Sequence, residues 1–276
     1  MVEDAVTPTG PYRLRLMSRS GTWRGALADG STATAWQRPD GKVVVRAATG
    51  EGLERARFML ALHDDTAGFH HRFARDPLLG AAARALVGYR PLRLATVTHA
   101  ALRAVCGQLI EASRAAAIER SILRRLGSPV ATRDALAQLS PVDLRRSGLA
   151  TSRASTLVRL VRSLDLERLR GHDTEIVLQR LGRERGIGPW SIGVIALEGL
   201  GRYDHGLVGD LGLIKLQASL EGRWVEADET AALLAPYEEW QGLAGQILML
   251  GWSRGLIPGA DPDLGRRARL RTKRAA

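Results

Sequence analysis

The chain carries a single cysteine, Cys106, in 276 residues. One thiol cannot form an internal disulfide, a multi-cysteine zinc site or an iron–sulfur cluster. Lysine is nearly as scarce, with only Lys42, Lys215 and Lys273. Any chemistry that needs an amine nucleophile between Lys42 and Lys215 is therefore excluded. No apolar run approaches the roughly 20 residues that a membrane-spanning helix requires. The first ten residues lack the basic-then-apolar order of a secretion signal. Together these absences point to a cytoplasmic protein with no membrane partner.

What is present is arginine. The formal charge is +11, and it is uneven. Residues 1–80 hold 11 basic and 9 acidic side chains, whereas the remainder holds 29 and 20. A basic body suits a phosphate polymer, because each neutralised phosphate releases condensed counterions. An arginine- and alanine-rich coding bias would give the same excess, so charge alone leaves nucleic acid an open question.

The pattern of the chain changes near residue 80. Tyr12–Leu16, Thr22–Ala28, Ser31–Trp36 and Lys42–Ala48 are short, partly alternating segments separated by Gly, Asp and Pro, such as the turn Arg38-Pro39-Asp40-Gly41. They predict antiparallel strands, followed by a helix over Gly52–His63. Residues 1–80 thus read as a small α+β domain and 81–265 as an all-helical domain. Helices are expected over His99–Leu126 as one long run, Ser152–Leu164, Thr174–Leu181, Pro189–Leu200, Leu211–Leu220, Thr230–Ala235 and Tyr237–Trp252. Ser140-Pro141 with Gly148 brackets a further short helix. Residues 266–276 form a basic tail. His63, Asp64, Asp65, His70 and His71 cluster in sequence without a metal-ligand spacing, and no metal site is expected there.

Two motifs carry chemistry. In the first, a helix ending near Leu181 runs into Gly186-Ile187-Gly188, and Pro189 opens the next helix. Such a glycine hairpin exposes backbone amides able to grip a phosphate without reading a base; a plain tight turn would look the same. In the second, Asp210 precedes Leu211-Gly212-Leu213-Ile214-Lys215 where a helix should begin. That is a capping position, and the positive end of the helix dipole favours a carboxylate there. A cap without catalysis is the simpler reading of that motif by itself.

Taken together, the hairpin with Trp190 and an aspartate 20 residues beyond that tryptophan resembles the helix-hairpin-helix DNA glycosylases. The likeness is nearest to their alkylbase branch, typified by bacterial 3-methyladenine DNA glycosylase II, and covers most of residues 80–255. It implies a mainly α fold, with the helical glycosylase domain following a small antiparallel α+β domain. It also implies Asp210 as the catalytic carboxylate, Trp190 and Trp252 as walls of the base pocket, and Gly186, Ile187 and Gly188 as the phosphate-gripping hairpin. Gln108 and Leu109, in Gly107-Gln108-Leu109, correspond to the wedge that fills the duplex when a damaged nucleotide leaves the stack. On periodicity alone, Leu109 reads more readily as a core leucine than as a wedge.

By the same resemblance the partner is damaged double-stranded DNA, bound by a monomer. There is no redox cofactor, and a monovalent cation could be held by hairpin carbonyls. Relatives that also cleave the strand carry a lysine just after the hairpin glycines; Trp190 stands there. Base removal without strand cleavage is therefore expected. A glycosylase for an oxidised or deaminated base, a hairpin module that binds DNA without catalysis, and a general polyanion binder remain alternatives. Glu184 and Arg185 depart from the apolar residue and proline frequent in the family's hairpin lead-in.

Overall fold

The computed structural model describes residues 1–18 and 20–261. The basic tail lies outside the described residues. Four antiparallel strands, β1 (Val2–Val6), β2 (Thr22–Ala26), β3 (Thr32–Gln37) and β4 (Val43–Ala47), form a sheet in the order β1-β4-β3-β2. Three of these match the expected strands, and the Arg38–Gly41 turn closes β3 onto β4 with Gly41 at φ +87°. The fourth does not match. Tyr12–Leu16 ends in a 3₁₀ turn (Leu14–Leu16), and its alternation records Tyr12 and Leu14 dipping into the core from a loop. Val2–Val6 takes the edge instead, paired along β4 from Val2↔Ala47 to Val6↔Val43. Its Val-Glu-Asp-Ala-Val sequence is mostly exposed, so no hydrophobic face marks it.

Helix α1 (Gly50–Met59) starts at Thr49, whose hydroxyl accepts the Gly52 amide at 3.1 Å. It lays Leu53, Ala56 and Met59 on the sheet, completing one core of buried residues. A second, larger core begins at Phe69 and runs through the helical remainder. Buried arginines tie the two together. Arg90, with no exposed surface, donates to the carbonyls of Thr9, Pro11 and Ala61, and Arg93 donates to Phe58 and Gly201 carbonyls and to Asp64.

The helical core is organised around α2 (Val97–Gly107), which is buried on nearly every side. Packed against it are α3 (Ala112–Leu126), α4 (Thr151–Ser163) and, beyond α5 (Thr174–Gly182), α6 (Pro189–Val194, continuing as a π-helical segment Ile195–Leu200); α7 (Leu211–Glu221) and α8 (Gln241–Ser253) pack on each other. The short Pro141–Arg146 helix has the expected bracket: a capping box between Ser140 and Asp143, and Gly148 at φ +99°. The single long helix expected over His99–Leu126 is instead two. Gln108 leaves the helical region at ψ 122°, Leu109 adopts φ +51°, and α3 restarts after Glu111. Apolar spacing stays in phase on both sides of this break, so periodicity does not register it. The His63–His71 cluster serves packing: Asp64 accepts from Arg93 and Tyr203, and the His70 ring lies 2.9 Å from the Ala83 carbonyl. No helix among the described residues is long and apolar enough to cross a membrane.

Candidate active site

Asp210 caps α7. Its Oδ1 accepts the Gly212 amide at 2.7 Å, and its Oδ2 accepts the indole N–H of Trp190 at 2.8 Å. One bond is the local cap that the sequence predicts. The other arrives from α6 and is a tertiary contact, so Trp190 holds the carboxylate as well as standing beside it. The ring end of Trp190 lies against Gly107 at the end of α2, where a Cβ would come within 2.5 Å of Cη2. Gly107 therefore makes room for the indole that orients Asp210.

The hairpin sits directly alongside. Gly186 has φ +87°, and a side chain there would also strike the Thr156 hydroxyl at 2.5 Å. Both constraints demand glycine. Ile187 is buried and anchors the turn, while Gly188 is exposed as the N-cap of α6 with open space where a side chain would be. Gln108 locks α2 to this hairpin, donating from Nε2 to the Gly186 carbonyl at 2.8 Å and to the Ser191 hydroxyl at 2.9 Å. The next residue, Leu109, is 91% exposed. That exposure removes the core-leucine reading and leaves an apolar side chain projecting at a helix break next to the hairpin.

Trp252 is placed differently from Trp190. It is buried in the helical core, and its N–H donates to the Asp261 carbonyl at 2.9 Å. Among the described residues, no hydrogen bond or ring contact links it to Trp190 or Asp210. One turn earlier on α8, half-buried Met249 faces the cap. A Cβ on Gly212 would meet its Sδ at 2.9 Å and Asp210 Oδ1 at 3.0 Å. Sequence reasoning missed Met249, because its approach to the cap is a contact between two helices. Trp240 lies elsewhere, stacked on Tyr203 at 5.9 Å in an aromatic cluster with Phe69.

Three consecutive hairpin carbonyls are already engaged. Glu184 accepts the Ile187 amide, Arg185 accepts Thr156 and Arg159, and Gly186 accepts Gln108. No step below uses a cation there.

The chain resembles the helix-hairpin-helix DNA glycosylases in both sequence and fold. No family model matches the chain. A DNA-3-methyladenine glycosylase of Bacillus subtilis is 24% identical over 200 residues, 66% of each chain. A probable bifunctional transcriptional activator/DNA repair enzyme AlkA of Mycobacterium tuberculosis is 29% identical over 205 residues, 70% of this chain. The chain spans only 41% of that second relative's length. Among solved structures, a 3-methyladenine DNA glycosylase from Archaeoglobus fulgidus superposes with a TM-score of 0.75 at 19% identity, over 92% of this chain and 98% of that one. An 8-oxoguanine glycosylase/lyase of Clostridium acetobutylicum, solved with double-stranded DNA, gives 0.72 at 17% identity over the same shares. These structural likenesses establish the fold.

Proposed function

We propose that this protein is a monofunctional DNA glycosylase that extrudes alkylated purines of the 3-methyladenine and 7-methylguanine type from duplex DNA and hydrolyses their bond to the sugar. The observation that carries this reading is the contiguity of four features: the Gly186–Gly188 hairpin, the exposed Leu109, Trp190, and Asp210 held by Trp190. The hairpin amides and the start of α6 grip a phosphate. Leu109 enters the gap in the stack, replacing lost stacking without demanding a hydrogen bond. Alkylation at N3 or N7 makes the base cationic and weakens its bond to the sugar, so the leaving group needs little acid assistance. Asp210 then faces the oxocarbenium-like sugar and stabilises its charge or orients the attacking water. The Trp190 bond fixes the carboxylate before the reaction begins. The names of the two curated relatives support alkylation repair, and the position after the hairpin glycines holds Trp190 in place of an amine, which supports hydrolysis without strand cleavage.

The test is release of base from duplexes carrying 7-methylguanine or 3-methyladenine, by wild type and Asp210→Asn compared at equal DNA binding. Free base with an intact abasic strand, lost in the variant, is the expected result. Strand cleavage by the wild type would overturn the monofunctional assignment. Full activity in Asp210→Asn would remove Asp210 from the reaction.

A further inference from the structure

Thr230 has no exposed surface, and its hydroxyl is committed twice. Oγ1 accepts the amide of Gly209 at 2.7 Å and donates to the carbonyl of Ala227 at 2.7 Å. A hydroxyl has a single proton to give. With that proton on Ala227, the rotor is fixed and a lone pair is left facing the Gly209 N–H. Thr230 opens the short helix Thr230–Leu234, and Ala227 lies in the turn that leads into it. Glu229 steadies that turn, accepting the Glu226 amide at 2.8 Å and pairing with Arg223.

Gly209 is the residue before Asp210. It sits at φ +83°, a conformation that glycine enters without penalty and leaves as readily. The Asp210 amide bonds back to the Leu207 carbonyl at 3.0 Å, which closes the local turn but leaves the amide of Gly209 to Thr230. Packing around the glycine is close. A Cβ there would lie 3.4 Å from the Ala227 side chain and 4.0 Å from Cβ of Trp190. Gly209 thus stands between the Ala227 turn and the root of the indole that donates to Asp210 Oδ2 at 2.8 Å. Rotation of the peptide between residues 209 and 210 would carry the carboxylate off that indole.

We propose that Thr230 is a positioning residue for Asp210: by holding the Gly209 amide it fixes the peptide from which Asp210 departs and keeps the carboxylate on the Trp190 indole. Its effect on rate rests on the glycosylase reading, whereas its effect on geometry does not. Thr230→Val keeps the branched shape and deletes both bonds. Thr230→Ser keeps the hydroxyl and gives up a buried methyl. Thr230→Ala adds no bulk and carries the test should the valine variant fail to fold.

Two measurements are made on the full chain. One is the indole N–H resonance of Trp190 in a nitrogen–proton correlation spectrum, identified among the six tryptophans by its absence from Trp190→Phe. The other is single-turnover excision from a 7-methylguanine duplex over a range of protein concentrations, well below the Tm of each variant. The resonance should move in Thr230→Val and Thr230→Ala and return to its wild-type position in Thr230→Ser. The saturating rate should fall about two- to tenfold in Thr230→Val, as expected for one neutral hydrogen bond, with half-saturation unchanged within about twofold. Thr230→Ser should melt lower than wild type and still excise at the wild-type rate, which separates positioning from stability. A resonance unmoved in both Thr230→Val and Thr230→Ala would overturn the proposal. So would a lower Tm with a wild-type rate in those two variants, the behaviour of a threonine that only packs. If the wild type releases no base, the resonance still decides the geometry, and it is the glycosylase reading that fails.

Discussion

Gly107 and Trp190 meet at a contact where, on the glycosylase reading proposed above, a methyl group would disturb the reaction more than the fold. Gly107 is the last residue of α2 and its backbone is compatible with alanine, which helices favour over glycine by about 1 kcal/mol. Yet alanine would drive into the Trp190 ring end and pull the indole from Asp210. Gly107→Ala should therefore lower the excision rate, with Tm unchanged or lower by a few degrees, because the lost bond and the crowding offset the helix gain. Trp190→Phe makes the complementary cut, keeping a ring but deleting the donor. A hydrogen bond to a charged group contributes about 1.5–3 kcal/mol, so kcat should fall by about ten- to a hundredfold. Single-turnover excision at saturating duplex, read beside thermal melts, checks both variants. Two normal rates would mean that the indole does not position the carboxylate.

At the scale of elements, legibility followed locality. The cap at Asp210 and the turn at Gly186–Gly188 could be read because capping and positive φ are properties of a few adjacent residues. Most helix spans were equally readable from apolar spacing. Met249 could not be read, because it reaches Gly212 from another helix, and neither could the bond from Trp190 to Asp210. Edge strand β1 was missed because strand-hood there comes from pairing with β4, not from a buried face. The break between α2 and α3 was missed for a related reason, and it has a consequence for Leu109. Holding a leucine at φ +51° stores about 1–3 kcal/mol of strain, and on the proposed reading that strain is retained because the side chain must project. Asparagine tolerates this conformation better. Leu109→Asn should leave Tm unchanged or slightly higher while excision from duplex falls, and the loss should shrink on a substrate whose target base is already unpaired. A variant that excises as well as wild type from fully paired duplex would rule out the wedge.

For the whole molecule, the buried titratable groups confine stability from both sides of neutral pH. His70 and His205 have their pKa values pulled below the usual 6.5, chiefly by burial. The unfolded chain therefore takes up protons below pH 6.5 that the folded chain resists, and stability falls as pH drops. Glu119 adds a second, lower window. Burial alone would raise its pKa, but hydrogen bonds from His99 and Arg103, with the charge of Arg103, outweigh burial and bring it from 4.5 to about 2. Its contribution is full above 4.5 and is lost as pH falls from there toward 2. This carboxylate joins α2 to α3 through His99 at 3.0 Å and Arg103 at 3.0 Å, and Arg103 extends the link to Glu198 in the π-helical segment at 2.7 Å. Losing it loosens α2 and α3, which flank Leu109, and the helix that carries Trp190. On the alkaline side the sign reverses. Burial pushes up the phenols of Tyr12, Tyr89, Tyr203 and Tyr237, and the Cys106 thiol to about 12, so the unfolded chain releases protons first and stability falls above the ordinary values of those groups. Tm should be broadly flat between pH 7 and 9, decline from about pH 6.5, and decline more steeply below 4.5. Glu119→Gln should melt lower than wild type at pH 7 and lose less on acidification from 4.5 to 3, so the two curves converge. Parallel curves across that interval would show that the Glu119 network does not set the acid limit.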